Sequence, residues 1–127
     1  MTNPEPVDER LQFVKHKGQM IYVIDFSRCS SKEIMVLLDL IRADIARHPP
    51  GSVLTLADFE GAQVDKIVVI YMKEVLTLDR PYVKWSAWVG TDSLLHVFYE
   101  NFKTFSQRDF PTFKTREEAM DWLVHEE

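Results

Sequence analysis

The chain has 127 residues, of which 46% are hydrophobic and 28% charged, and its formal net charge is −5. This composition is typical of one soluble globular domain and excludes disordered and collagen-like chains. The acidic balance argues against the basic footprint that supplies most nucleic-acid affinity, so we expect no nucleic-acid partner. No apolar run reaches the roughly 18 residues of a membrane-spanning helix.

Residues 1–11 contain two prolines and four charged side chains. We therefore predict a flexible lead-in over residues 1–11, followed by a single domain over residues 12–127. The lead-in has neither a positive start nor an apolar stretch, so we expect no secretory signal. Cys29 is the only cysteine in the sequence, which excludes an internal disulfide and favours a cytoplasmic location.

The first structured segment is predicted to be an antiparallel hairpin. Residues 13–16 have the pattern of a short strand, Lys17 and Gly18 form the turn, and residues 19–26 form the second strand. Both faces of the second strand are largely apolar, which predicts that it is buried on both sides.

A helix and a third strand follow. Ser30 and Glu33 have the spacing of a capping box, which marks a helix start. Residues 48–51 (HPPG) end the helical pattern, and residues 52–58 alternate as a strand. The apolar residues at helical spacing are Ile34, Leu37, Leu38, Ile41 and Ile45.

Residues 64–79 are ambiguous between strand and helix. The central letters IVVIYM favour a strand by propensity, but the apolar residues also recur at helical spacing over a helix's length. A strand here would need a very short link back into the sheet. We therefore interpret the segment as a helix that ends before Pro81.

The C-terminal part contains two more strands and two more helices. Residues 82–89 and 110–114 are predicted strands, and Thr91 or Asp92 is predicted to cap the helix between them. That helix would bury Leu94 or Leu95, Phe98, Phe102 and Phe105. A second capping box, Thr115 with Glu118, opens a final helix with Ala119, Trp122 and Leu123 facing inward.

The resulting order is β-β-α-β-α-β-α-β-α, which predicts an α/β fold with a mixed, mainly parallel sheet. Four phrases stand in a familiar order, namely residues 80–84 (RPYVK), 86–90 (SAWVG), 105–110 (FSQRDF) and 113–123 (FKTREEAMDWL). From residue 13 onward the chain resembles the STAS domains (sulfate transporter and anti-sigma factor antagonist), most closely the small bacterial SpoIIAA-like (STAS/SEC14-like) proteins. The resemblance implies a helix over residues 64–79. Because the sequence shows no catalytic constellation and has surplus apolar residues on this helix, we predict a STAS-like, non-enzymatic protein-interaction or regulatory module.

In the best-understood STAS domains, a serine at the start of the helix after the third strand is phosphorylated by a kinase partner. Its phosphorylation state decides which partner binds. The corresponding residues 58–65 (DFEGAQVD) contain no serine or threonine. A phosphate needs a hydroxyl to carry it, so the resemblance implies a partner surface here without that phosphorylation switch.

The same helix has a second apolar stripe. If Val64, Ile67 or Val68, Tyr71, Val75 and Leu78 face the sheet, another set of apolar side chains is left over. We predict that it binds a protein partner or a second copy of the chain, together with the preceding loop; the alternative is that a neighbouring helix covers it. The predicted contact residues are Asp58, Phe59, Glu60, Gly61, Gln63, Val69, Met72, Lys73 and Leu76.

No catalytic constellation is visible, so we predict no enzyme activity and no cofactor. Asp25, Asp58 and Glu60 near strand ends suggest a Mg²⁺ site, but the threonine and lysine that would accompany it are missing, and we predict no metal. The sequence has no G-x-S-x-G motif and no glycine-rich phosphate loop. His16, His48, His96 and His125 are scattered without metal-ligand spacing.

Aromatic residues are dense in the second half of the chain, and we interpret them mainly as core. An alternative function is a small carrier for an apolar ligand or lipid, held between helix and sheet as in CRAL-TRIO domains. The aromatic residues concerned are Trp85, Trp88, Phe98, Phe102, Phe105, Phe110, Phe113 and Trp122.

Overall fold

The computed structural model describes residues 7–125. Its elements in chain order are α1 (Val7–Arg10), β1 (Leu11–His16), β2 (Gln19–Asp25), α2 (Ser31–Ile45), β3 (Val53–Asp58), α3 (Lys66–Asp79), β4 (Val83–Val89), a 3₁₀ turn (Thr91–Ser93), α4 (His96–Ser106), β5 (Thr112–Phe113) and α5 (Arg116–Leu123). None of the helices in residues 7–125 combines the length and apolar character needed to cross a membrane.

The five strands form one mixed sheet in the order β1-β2-β3-β4-β5. β1 is antiparallel to β2, and β2 to β5 run parallel to one another. The prediction of an α/β domain with a mixed sheet is confirmed. The predicted order is matched only in part, because α1 precedes β1.

The predicted lead-in over residues 1–11 differs from the structure at its C-terminal end. Val7–Arg10 is helical and Leu11 already belongs to β1, whereas residues 1–6 lie outside the described residues. The Arg10 guanidinium donates hydrogen bonds to the carbonyl oxygens of Asp25 at 3.0 Å and Ser27 at 2.9 Å. These bonds attach α1 to the end of β2.

Each face of the sheet has its own buried cluster. On one face, side chains of β2 to β4 such as Ile24, Ala57 and Trp88 pack with α2, α3 and α4. On the other face, Leu56 and its neighbours pack with Leu123 of α5. The alternation of side chains along each strand therefore divides the core into two layers.

Local sequence signals set most helix starts. The capping boxes of Ser30 with Glu33 and Thr115 with Glu118 are both present, as predicted. The helix predicted within residues 64–79 is also confirmed, and Asp65 caps it by accepting a hydrogen bond from the Val68 amide. The predicted cap of α4 is wrong, because the residue at its N-cap is Leu95 and no side chain caps it.

The predicted inward face of α3 is wrong at Leu78, which is 40% exposed. Of the alternatives Ile67 and Val68, Val68 is the buried residue and Ile67 is 66% exposed. The buried residues of this helix are Val68, Val69, Met72, Val75 and Asp79. α3 lies between α2 and α4, so the packing of its neighbours, rather than its own pattern, selects the buried face.

Candidate functional site

The predicted contact residues do not form one exposed surface. Glu60, Gly61 and Gln63 are in the loop before α3, where Glu60 and Gln63 are exposed, whereas Asp58 and Phe59 are buried. Val69 and Met72 are 6% and 1% exposed in the core beneath the helices, so the expectation that they lie on an open stripe is wrong. Lys73 and Leu76, on the same side of α3, are half-buried.

The loop over residues 58–63 is fixed by hydrogen bonds to both neighbouring loops. The amide of Arg28 donates to the Glu60 carbonyl at 2.7 Å, and the amide of Phe59 donates to the Val89 carbonyl at 2.9 Å. The Gly61 amide donates to Ser93 Oγ at 2.7 Å. The loop is therefore held at the carboxyl end of the sheet.

Gly90 permits the closest contact at this end of the sheet. Its φ is +68°, and a Cβ built on it would lie 2.4 Å from the Glu60 nitrogen and 3.0 Å from Asp58 Oδ1. A side chain at this position would collide with the backbone of the loop over residues 58–63. The chain can make this turn because glycine adopts positive φ without steric cost.

Four charged side chains form an edge cluster beside this loop: Arg10, Asp25, Asp58 and Arg116. Arg116 Nε donates to Asp58 Oδ2 at 2.8 Å, and its Nη2 lies 3.1 Å from Asp25 Oδ1. Arg10 Nη1 lies 3.8 Å from the same Asp25 oxygen. Two arginines thus balance two aspartates.

This balance explains why the carboxylates predicted at the strand ends are unsuited to Mg²⁺. A hard cation needs free carboxylate oxygens, but both oxygens of Asp58 and Oδ1 of Asp25 already accept hydrogen bonds from arginine or backbone amides. Among residues 7–125 no group of three or more His, Cys, Asp and Glu side chains is arranged to hold a metal ion.

A second pair of charges lies inside the domain. Asp79 of α3 is 4% exposed, and the partly buried Arg108 lies after α4. Both line a cavity of about 40 Å³ between the sheet and the helices, together with Thr55 and Ser86. We call Asp79 and Arg108 the interior pair.

The two members of the interior pair do not touch each other. Arg108 donates to the Leu76 carbonyl at 3.0 Å and to Ser86 Oγ. In the described part of the chain, every side-chain nitrogen or oxygen shut off from solvent has a hydrogen-bond partner. No described residue donates such a bond to the Asp79 carboxylate, so its oxygens are not completely shut off from solvent. Burial raises the pKa of Asp79 to about 7, although Arg108 and Arg42 oppose the shift.

The cavity is small for the apolar ligand considered from the sequence. A volume of 40 Å³ holds about three water molecules, since each needs roughly 10–15 Å³. A lipid chain would require the helices to separate from the sheet. Carriage of a lipid stays a prediction that this cavity does not favour.

Exposed apolar side chains are concentrated on two adjacent helices instead. We call this group the α3–α4 apolar face; its members are Ile67 (66% exposed), Ile70 (65%), Leu95 (62%), Val97 (58%) and Phe105 (56%). α3 and α4 pack side by side, and Lys73 Nζ lies 5.0 Å from the centroid of the Phe105 ring. The prediction that Phe105 is buried is wrong, whereas of the alternatives Leu94 and Leu95 it is Leu94 that is buried.

Sequence reasoning missed Arg116 and the interior pair. One signal was available for Asp79, which continues the buried spacing of Val68, Met72 and Val75 and is therefore a charge on an apolar stripe. No comparable local signal marks Arg108 or Arg116, because their partners are distant in the chain.

Comparison of the chain with protein-family models, with curated proteins and with solved structures finds no match in any of the three.

Proposed function

We propose that this chain is a non-enzymatic, STAS-like protein-interaction module that binds through the α3–α4 apolar face. The observation that carries the proposal is that five large apolar side chains on neighbouring helices are each more than half exposed. Large apolar side chains exposed close together on a protein surface mark interaction sites in many proteins.

The rest of the fold supports this interpretation of the face. Both sides of the sheet are already covered, one by α2, α3 and α4 and the other by α5. The five side chains therefore do not belong to an uncovered part of the same core. The loop residues Glu60, Gly61 and Gln63 precede α3 and extend the surface with polar groups.

The occupant that we propose is a second copy of the chain. Each of these side chains, when fully buried in an interface, contributes roughly 1.5–3 kcal/mol before the costs of association. Together the five contribute at most roughly 8–15 kcal/mol, against an association cost of about 4–15 kcal/mol. A different protein partner is the alternative outcome of the same experiment.

The test is the mass of the protein in solution, measured by light scattering at several concentrations. We expect the wild type to be a dimer, and Ile70→Glu and Val97→Glu to be monomers that melt like the wild type. Val36→Glu is the matched control, because Val36 is a 51% exposed apolar residue on α2, outside the face. It should remain dimeric.

A monomeric wild type rules out the second copy as the occupant. If no purified partner then binds the wild type more tightly than Ile70→Glu, the interaction proposal itself fails. A dimer that all three variants preserve would place the contact elsewhere on the chain.

A further inference from the structure

The outer edge of β4 is open along most of its length. β5 pairs only with Trp88 and Val89, so no strand in residues 7–125 lies beside the first part of β4. The Trp88 amide points outward and donates to the Pro111 carbonyl at 2.9 Å. Because backbone direction repeats every two residues along a strand, the Ser86 amide points out at the same edge.

A cleft of about 280 Å³ adjoins this open edge. Its charged lining residues are Arg80, Lys84, Arg108 and Asp109, with Ser86 on its inner wall. Three cations against one carboxylate leave an excess of two positive charges. The Ser86 amide points to the same edge and adds a further donor, so the cleft is rich in groups that bind anions.

Arg108 is the fixed element of the cleft. Its guanidinium is held by the Leu76 carbonyl and Ser86 Oγ, and it lies 4.8 Å from the centroid of the Phe110 ring. Two of its five N–H donors are used in this way, which leaves three. No Asp or Glu oxygen of the described residues lies within 4.0 Å of this partly buried guanidinium.

Arg108 and Ser86 also form the wall between this cleft and the interior cavity. On the cavity side, Asp79 is a buried carboxylate whose oxygens accept no hydrogen bond from the described residues. It attracts Arg108 from within the domain without contacting it. An anion in the cleft attracts the same guanidinium from outside, so the two compete for its charge.

We propose that the cleft beside β4 binds the phosphate group of a small molecule, with Arg108 as its central ligand. A phosphate monoester carries nearly two negative charges at pH 7, which matches the charge excess of the cleft. Arg108 supplies forked donors, and Arg80 and Lys84 supply charge at the rim. The site is independent of the α3–α4 apolar face and stands whether or not the chain dimerises.

A structural explanation of the same charges makes a different prediction. Arg80 and Arg108 follow the carboxyl ends of α3 and α4, where cations are favoured by the helix dipole. If that were their whole role, phosphate would bind no better than chloride at equal ionic strength. Replacing a cation would then change stability without changing anion affinity.

The experiment follows the Ser86 and Lys84 backbone amide signals by NMR at pH 7.5, during titration with inorganic phosphate. Sodium chloride of equal ionic strength is the reference, and glycerol phosphate tests whether the group is preferred free or as an ester. We expect saturable shifts with either phosphate and none with chloride. Arg108→Gln should weaken binding at least tenfold and Lys84→Gln about threefold, whereas Arg47→Gln, which follows α2 and does not line the cleft, should leave it unchanged.

Asp79→Asn tests whether Asp79 and the bound anion compete for the charge of Arg108. Removal of the internal carboxylate should tighten phosphate binding at least threefold. Unchanged or weaker binding in this variant contradicts the competition on which the proposal rests. Shifts that chloride reproduces, or equal affinities in the wild type and Lys84→Gln, overturn the proposal, and the latter variant changes only an exposed side chain.

Discussion

The edge cluster and the interior pair use the same residue types in opposite ways. In the edge cluster, the carboxylate of Asp58 accepts from the Glu60 amide at 2.9 Å and from Arg116 at 2.8 Å. In the interior pair, the carboxylate of Asp79 is more deeply buried and accepts no hydrogen bond from the described residues. Buried charges stabilise a fold only when direct partners replace the lost water.

The difference predicts different roles for the two groups. The edge cluster connects α1, two strand ends and α5, so it is part of the framework that holds the loops in place. We expect the interior pair to lower the stability of the fold, because Asp79 is buried without a direct partner, and Arg108 keeps unused donors. Burial also lowers the pKa of Arg108 to about 10, with Asp79 opposing the shift. Such a costly arrangement is typical of a binding site.

The largest expected effect is at the interior pair. Burial raises the pKa of Asp79 from 3.8 to about 7, so the native state keeps a proton that the unfolded chain has lost. The contribution of this group to stability is complete below about pH 4 and declines as the pH rises to about 7. Asp79→Asn should remove the decline and be more stable than the wild type by up to about 4 kcal/mol at pH 8.

Urea unfolding at pH 4 to 8 checks this prediction. The difference in unfolding free energy between Asp79→Asn and the wild type at each pH reports Asp79 alone, because the other titrating groups are common to both proteins. Two parallel curves of unfolding free energy against pH would show that Asp79 has the same pKa in both states. The contrast between the two charge groups would then be lost.

The next largest effect is expected at the close contact between Gly90 and the backbone of Glu60. Gly90→Ala should lower the free energy of unfolding by about 3 kcal/mol, because a positive φ and a collision with the Glu60 backbone add together. Gly18→Ala is the control, since Gly18 has φ +85° but no atom within 4 Å of the position that a Cβ would occupy. It should lose only about 1 kcal/mol. Equal losses would mean that the loop moves aside at little cost.

Neutralising the edge cluster should destabilise the protein, which is the opposite of the result for Asp79. Asp58→Asn removes the charge that Arg116 meets and should lower the free energy of unfolding by about 2 kcal/mol at pH 7. The exposed Asp92→Asn serves as the control and should change it little. If Asp58→Asn were more stable than the wild type, the charges of the edge cluster would destabilise the fold as those of the interior pair do.

The smallest expected effect concerns the hydrogen bond between the loop over residues 58–63 and the 3₁₀ turn that contains Ser93. Ser93→Ala removes the acceptor of the Gly61 amide, which can bond to water instead because this hydrogen bond is exposed. The free energy of unfolding should fall by about 0.5 kcal/mol. Hydrogen exchange of the Gly61 amide should accelerate while that of the Phe59 amide does not, and equal acceleration of both would mean that the whole loop opens.

The fold was predictable where the signal is local. Ser30 with Glu33 and Thr115 with Glu118 form their capping boxes within four residues, and the hairpin turn lies between adjacent strands. The candidate site was predictable only as a location, because Asp25 and Asp58 end neighbouring parallel strands. Their neutralisation by Arg116 was not, since that residue is 58 positions from Asp58.

The sequence by itself determined the element types, most helix starts and the absence of a hydroxyl-bearing serine or threonine in residues 58–65. Tertiary structure decided which side of α3 is buried, because that helix is apolar on most of its surface and its neighbours α2 and α4 cover part of it. Met72 became core and Ile70 stayed exposed for this reason. Tertiary structure also brought Asp79 and Arg108 to one cavity from separate elements. The electrostatic environment of each side chain depends on how these elements pack and not on the local sequence.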